Sequence, residues 1–339
     1  MVDTNPVIAV DAMGGDNAVK LVLQGVADAL QEDHELRILL IGNKEVVEPF
    51  AAKHQRVKPL VSHSVIEMDE APAEAIRQKK DSSIVMGAYA LKNHEADGFF
   101  SAGSTGAVLA ATTIYTGRIK GVKRPAITFM LPGKRPITML DLGANADYKP
   151  EHLVQFAHMG TAFARTVIGV ENPEVGLLNI GSEETKGSMQ LQEVYGLFKA
   201  QVKNFKGNAE GSDLFANTFD VIVTDGQTGN ITLKTIEGTA KFLMTELKDA
   251  LMASTKAKLG ALLLKDSLYS LKDLLNADKY GGGYLLGVKG VVIIGHGHTS
   301  ARAVKNGIVS AAKAVREGLV EQISELIAQS NDSTGTINS

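Results

Sequence analysis

VIVTDGQTGNITLK, residues 221–234, decides how this chain is read. Val221, Ile222, Val223 and Thr224 form a short β-branched run, the pattern of a strand buried on both faces of a parallel sheet. Asp225-Gly226 ends the run, Gln227-Thr228-Gly229-Asn230 reads as a loop, and a helical pattern begins near Ile231. Strand, glycine loop and helix start in that order make an anion site. Unpaired amides and the helix dipole point toward the loop, and glycine lets a ligand approach the backbone. Within it, the Asn230 amide can donate to an oxyanion without carrying charge. A tight strand-to-helix turn that binds nothing, with Asn230 as its cap, carries the same signature.

The same grammar recurs outward from this stretch. Apolar runs at 7–10, 97–101, 137–140, 175–180 and 291–294 are each followed by a glycine-containing loop. These loops are Asp11-Ala12-Met13-Gly14-Gly15-Asp16, Ala102-Gly103-Ser104-Thr105-Gly106, Asp141-Leu142-Gly143-Ala144-Asn145, residues 181–187, and Gly295-His296-Gly297-His298. Further strands are expected at 37–41, 57–61 and 126–130, the last joined to 137–140 by a Pro132-Gly133 turn. Strands alternating with helical spacing predict an α/β fold with a doubly wound, mostly parallel sheet. Ligands of such sheets lie beyond the carboxyl ends of the strands, where these loops are expected to fall. One domain is expected over 1–330, followed by a small, polar, disordered tail at 331–339. No loop is a Walker P-loop, and Gly14-Gly15 lacks the third glycine of a dinucleotide fingerprint, which disfavours a nucleotide cofactor.

Composition narrows the classes. With 339 residues and 44% hydrophobic content, the chain can bury a full α/β core. A net charge of -3 gives no support for nucleic-acid binding. The absence of cysteine excludes disulfides, thiolate metal sites and an acyl-cysteine intermediate. The polar start of the chain shows no signal peptide, and no apolar run approaches the ~20 residues that cross a bilayer. A soluble, cytoplasmic protein is expected.

Residues 234–280 differ in character. Lys234, Lys241 and Lys248 recur every seven residues, as do Lys258, Lys265, Lys272 and Lys279. Leucines including Leu243, Leu247, Leu251, Leu262 and Leu271 form an apolar counterpart. With a break at 253–256, the pattern predicts two long helices as a hairpin. A solvated lysine face on core helices is one reading. The other is a projecting arm for dimerisation and for an acidic partner or membrane surface, with LGALLL (259–264) as its apolar tip.

AVDAMGGD (9–16), SAGSTGA (101–107), GRIKGVKRPA (117–126), LDLGAN (140–145), KPEHLVQFA (149–157), GLLNIGSEETKG (176–187) and DGQTGNITLK (225–234) resemble the PlsX-type phosphate acyltransferases, in the family's order. The resemblance implies transfer of a fatty acyl group from acyl carrier protein to inorganic phosphate, giving an acyl phosphate for phospholipid synthesis. It implies a homodimer with no organic cofactor and a fold like that of isocitrate and isopropylmalate dehydrogenases and phosphotransacetylases. It also implies a functional link to a membrane glycerol-3-phosphate acyltransferase and, for some members, peripheral contact with the cytoplasmic membrane. Lys186 and Asn230 occupy the positions associated with catalysis. Ser104 and His298 depart from the family's common forms.

The chemistry needs phosphate held in line with a thioester carbonyl and donors aimed at the developing oxyanion. Lys186 can neutralise phosphate charge or donate to the oxyanion; by spacing alone it is an exposed loop lysine. The expected phosphate and substrate site comprises Asp11, Gly14, Gly15, Asp16, Gly103, Ser104, Thr105, Gly106, Asn145, Asp225, Thr228, Gly229 and His296. Asp11, Asp16, Asp141 and Asp225 repel phosphate, so they are expected to cap helices, bind amides or orient basic groups, although four acids could instead hold Mg²⁺. His296 is either a loop histidine or a proton carrier to the leaving thiolate. Acyl carrier protein is acidic, so it needs a basic surface. Arg118, Lys120, Lys123 and Arg124 are one candidate patch, and the arm lysines Lys258 and Lys265 belong to the other. The rival readings are a phosphotransacetylase acting on acyl-CoA, a decarboxylating dehydrogenase and a non-catalytic carrier-protein scaffold.

Overall fold

In the computed structural model, which describes residues 5–15, 18–131, 135–274, 276–297 and 299–335, the apolar runs become strands of one sheet. They are β1 Val7–Asp11, β2 Arg37–Gly42, β3 Val57–Val61, β4 Gly98–Ser101, β5 Ala126–Leu131, β6 Ile137–Leu140, β7 Val175–Leu178, β8 Phe205–Ala209, β9 Val221–Val223, β10 Gly283–Leu286 and β11 Val291–Ile294. Their order across the sheet is β3-β2-β1-β4-β11-β10-β5-β6-β9-β7-β8. Side chains alternate between two cores. Ile8, Val10, Ile38, Leu40 and Phe100 face one, while Ala9, Leu39, Ile41 and Phe99 face the other. Burial on both faces is why these strands read as unbroken apolar runs.

The helices are α1 Ala18–Glu32, α2 Lys44–Ala51, α3 Pro72–Gln78, α4 Ser83–Lys92, α5 Thr105–Ala111, α6 Pro150–Phe163, α7 Met189–Gln201, α8 Gly226–Met252, α9 Thr255–Leu263, α10 Lys265–Leu274, α11 Ala301–Arg316 and α12 Leu319–Gly335. Val22 and Val26 of α1 and Val304 and Ile308 of α11 cover the first core. Ile84 and Val85 of α4 and Val108 of α5 cover the second.

Pairing senses place the site. β3, β2, β1, β4 and β11 are mutually parallel, as are β6, β9, β7 and β8. Between these blocks β10 is antiparallel to both β11 and β5, and β5 is antiparallel to β6. Three successive reversals leave the two blocks running in opposite directions. The loops therefore do not all fall at one edge, as expected from the sequence. Those after β1, β4 and β11 lie at one edge and those after β6, β7 and β9 at the other, so a shared site must lie over the central strands.

The arm also differs from the expected two-helix hairpin. α8 alone spans 27 residues, roughly 40 Å, and the return limb is split into α9 and α10. Ser254 starts α9 by accepting the Ala257 amide at 3.1 Å, and Leu264 leaves helical geometry between α9 and α10. No residue of α9 or α10 is buried.

Residues 331–335, expected in a disordered tail, continue α12, which Ile323 and Ile327 anchor in the core. Once packed, a helix extends at a cost of one residue per hydrogen bond, so it outruns its last buried side chain. The Pro132-Gly133 turn and residues 336–339 lie outside the described residues.

Candidate active-site cleft

The segment 225–230 is helix, not loop. Asp225 is the cap, its Oδ1 accepting the Thr228 amide at 2.9 Å, and α8 begins at Gly226. The two glycines serve close packing. A β-carbon on Gly226 would stand 2.2 Å from the Asn145 carbonyl oxygen, and one on Gly229 would stand 1.9 Å from that of Asp141. The first turn of α8 thus lies flush against the loop after β6. That registration puts Asn230 in the second turn, where it is exposed and cannot be the cap. Its side chain sits over Gly143, whose β-position would be 3.5 Å from the Asn230 Cβ.

Asp141 organises the loop after β6. It is fully buried, and its Oδ1 accepts the amides of Ile127 and Ala144 at 3.0 Å each. Oδ2 accepts the Asn145 amide at 2.9 Å and its Nδ2 at 2.8 Å. Burial raises its carboxyl pKa, and the side-chain bond from Asn145 and the amide bonds act in the opposite direction. The Asn145 Nδ2 also donates to the Pro125 carbonyl at 2.8 Å, tying β5 to this loop.

Asp11 does the same work on the opposite edge. Also fully buried, it accepts the amides of Met13 and Gly14 and, at 2.7 Å, the Ser101 hydroxyl. The Gly103 amide donates in turn to Ser101 Oγ at 3.1 Å. Burial raises the Asp11 pKa while hydrogen bonds, first that from Ser83, lower it. The loops after β1 and β4 are so closely apposed that a β-carbon on Gly14 would lie 2.5 Å from the Gly103 nitrogen. Ser104 caps α5.

Between the two edges, over the face of β5 and β10, lies a cavity of about 500 Å³. Thr105, Asn145, Asn230 and His296 line it, with Gln227 and Gly226 at the amino end of α8 and Ile127 and Phe129 as its apolar floor. Of the expected phosphate and substrate residues, then, the fold brings Thr105, Asn145 and His296 together with Asn230. Asp11, Gly14, Gly103, Ser104 and Gly229 stand behind the lining as supports. Gly15, Gly106, Asp225 and Thr228 are likewise off the cavity wall, Gly106 packing on Pro72. Asp16 and His298 lie outside the described residues. Among the described residues, no group of three or more His, Asp or Glu side chains is placed to hold a metal ion.

Two groups at or beside the lining were not among the expected site residues. Lys234, one turn beyond Asn230, lines the cavity and pairs with Glu237 Oε2 at 2.7 Å. His296 Nε2 lies 4.0 Å from Oε1 of the same glutamate, with its ring 6.0 Å from that of Phe129. A lysine and a glutamate three apart on a helix read as an ordinary solvated pair, so only tertiary position marks them.

Lys186 does not line the cavity. It lies on the loop after β7, its side chain 45% exposed and its Nζ 3.7 Å from Glu183. Asn179 holds the loop by donating to the Lys186 carbonyl at 3.1 Å, and Asn208 donates to that of Glu183 at 2.8 Å. β7 pairs directly with β9, so this loop and the start of α8 emerge side by side. Arg118, Lys120, Lys123 and Arg124 are all exposed on the segment before β5, with Lys123 3.4 Å from Glu151. Lys258 and Lys265 line a separate apolar groove inside the arm.

Residues 7–322 match the family described as fatty acid synthesis protein. A phosphate acyltransferase from Desulfitobacterium hafniense is 44% identical over 324 residues, covering 93% of this chain and 96% of that protein. In fold, the chain is similar to a phosphotransacetylase from Streptococcus pyogenes, with a TM-score of 0.60 at 16% identity over 93% of this chain and 97% of that one. It is also similar to a 4-hydroxythreonine-4-phosphate dehydrogenase from Burkholderia phymatum, with a TM-score of 0.52 at 14% identity over 91% and 98%. The α/β architecture expected from the alternating strands and loops is therefore a known one.

Proposed function

The chain belongs to the fatty acid synthesis protein family, whose relatives include phosphate acyltransferases, and from that premise we propose that it transfers a fatty acyl group from acyl carrier protein to inorganic phosphate. It is an acyltransferase enzyme. The observation that carries the placement of the chemistry is the convergence of the amino end of α8 and Asn230 with Thr105 and His296 over an apolar floor. An anion is favoured at the helix start, and the floor accepts the hydrocarbon next to the thioester.

In the reaction, a phosphate oxygen forms a bond to the thioester carbonyl carbon, whose oxygen takes the negative charge. Collapse of that adduct breaks the carbon–sulfur bond, and the departing thiolate takes up a proton. Phosphate is the nucleophile, so no acylated side chain is needed. The Asn230 amide donates to the oxyanion. Lys186, beside the start of α8 on its loop, neutralises phosphate charge, with Lys234 as a second cation. His296, which lines the same cavity, hands the proton to the leaving sulfur.

The exposed basic surfaces at Arg118, Lys120, Lys123 and Arg124 and at Lys258 and Lys265 are the candidate docking sites for an acidic carrier protein. The arm offers exposed Leu259, Leu262 and Leu263 for a membrane surface or a second copy of the chain, as a homodimer with a peripheral membrane contact requires. Such a contact would bring the acyl phosphate to a membrane glycerol-3-phosphate acyltransferase. Among the described residues no helix is long and apolar enough to cross a membrane.

The test is direct. Purified protein is incubated with a long-chain acyl thioester of acyl carrier protein and phosphate, and acyl phosphate is trapped as its hydroxamate. Product that requires both phosphate and the carrier-protein thioester is expected. Product only from the CoA thioester would transfer the reading to a phosphotransacetylase, and none from either would refute it.

A further inference from the structure

A second cavity adjoins the cleft. Phe129 and Leu233 line both, and beyond them lies an apolar space of about 440 Å³, within the ~300–1,000 Å³ typical of ligand sites. One wall is a stripe on α8. Leu233, Ile236, Ala240 and Leu243 follow one another at three- and four-residue steps, which stack on a single helix face. The opposite wall is Phe129 and Leu131, two residues apart and hence on the same face of β5. Leu131 is buried, and Leu233 and Ile236 pack against the core, so these walls are fixed by the fold.

Polarity divides the two spaces where they meet. Glu237 lines the apolar cavity, yet Lys234, which donates to its carboxylate, and His296, 4.0 Å from it, line the cleft. Asn230 begins the line three residues before Leu233. From Asn230 to Leu243 the helix rises roughly 20 Å. By the reach of an extended backbone, about 3.5 Å for each three bonds, that is more than a dozen extended bonds. A donor for a carbonyl oxygen at one end and a long apolar trough leading away from it is the shape of an acyl thioester.

We infer that this second cavity holds the acyl chain and that Ala240 sets the chain length it admits; the inference rests on the function proposed above. Ala240 is the smallest side chain of the stripe and stands two thirds of the way along it. Replacing it with a large ring fills the distal part of the trough and leaves the part beside Leu233 and Phe129 open.

The experiment compares kcat/KM for palmitoyl and octanoyl thioesters on the same carrier protein. Ala240→Phe is expected to lower the palmitoyl-to-octanoyl ratio by about 10-fold or more, the scale of a few lost methylene contacts. Thr245→Phe puts the same bulk on an exposed part of α8 that lines neither cavity, and should leave the ratio at the wild-type value. An unchanged ratio in Ala240→Phe, or an equal fall in Thr245→Phe, overturns the inference. If the wild type turns over neither thioester, the functional reading fails and the cavity is still tested by cis-parinaric acid fluorescence. Binding at least about 10-fold weaker in Ala240→Phe than in Thr245→Phe would sustain the apolar site; equal binding by the two variants would remove it.

Discussion

The carbonyl oxygen of Asp141 lies 1.9 Å from the point where a β-carbon on Gly229 would stand. This one approach sets the registration of α8 on the loop after β6, and through it the position of Asn230 over Gly143. A glycine in a helix ordinarily costs stability, and here it is the condition for closing the cleft.

Gly229→Ala is therefore expected to force α8 away from Asp141, lowering stability by about 1–3 kcal/mol and activity along with it. Gly238 is the control on the same helix, because nothing lies within 4 Å of its β-position. Gly238→Ala should be neutral or stabilising by up to ~1 kcal/mol. Thermal melts of the two variants check the pair. Equal melting temperatures would show that the tight packing at 229 carries no energetic weight.

Asn230→Ala and Lys186→Ala are each expected to lower turnover by about 100-fold or more, the scale for losing one oxyanion donor. Both side chains are substantially exposed, so neither change should shift the melt appreciably. The steady-state rate of the folded double variant decides the matter, and a wild-type rate would refute both roles.

The strands buried on both faces were legible because their apolar runs end sharply at Asp and Gly. β8, with Lys206, Gly207 and Asn208 inside it, carries no strand signal, and it survives as an edge strand of the sheet. β10 is hidden behind three consecutive glycines, so the antiparallel reversal that turns half the sheet over is invisible in the sequence. The start of α8 is misread for a related reason. Gly, Thr and Asn disfavour helix locally, so the Asp225 cap four and five residues ahead of Gly229 and Asn230 goes unrecognised, and the glycines are present because the Asp141 and Asn145 carbonyls leave no room for a β-carbon. Asn230 could be singled out from its loop-like context, whereas Lys234 and Glu237 become visible only once His296 is seen beside them. Lys186 is an exposed loop lysine both by spacing and in the fold, so its candidacy rests on the family resemblance.

His158 on α6 is half-buried, and its Nε2 is shut off from solvent with no partner among the described residues. Burial lowers its pKa from 6.5 to about 4. The unfolded chain then binds this proton more readily than the folded one. The contribution to stability is fully present above about 6.5 and is lost as pH falls from there toward 4, on the order of 3 kcal/mol in all. Denaturant unfolding at several pH values should show His158→Leu with a shallower loss of stability across that window than the wild type. Parallel curves would sink the assignment.

The two basic surfaces make opposite predictions for carrier docking. If the segment before β5 docks the carrier protein, Arg118→Glu with Lys120→Glu should raise KM for the carrier thioester about 10-fold, with kcat little changed, and weaken the salt dependence. Lys258→Glu with Lys265→Glu should then leave KM alone. Steady-state titrations of the two double variants distinguish the surfaces. The reverse result moves docking to the arm, and no change in either variant removes both.

Leu262 and Leu263 are 66% and 81% exposed on α9, a helix with no buried residue. Two adjacent leucines at the end of an arm, flanked by Lys258 and Lys265, suit insertion at the boundary of an anionic lipid surface, where each buried side chain is worth about 1.5–3 kcal/mol. Leu262→Ser with Leu263→Ser is therefore expected to abolish flotation with phosphatidylglycerol vesicles while activity on the soluble carrier thioester persists. The double change removes the apolar contact and leaves the lysines in place. If flotation is retained in full, attraction to the vesicles is electrostatic and the tip makes no insertion. Flotation lost together with activity would instead mean that the arm is needed to assemble the enzyme.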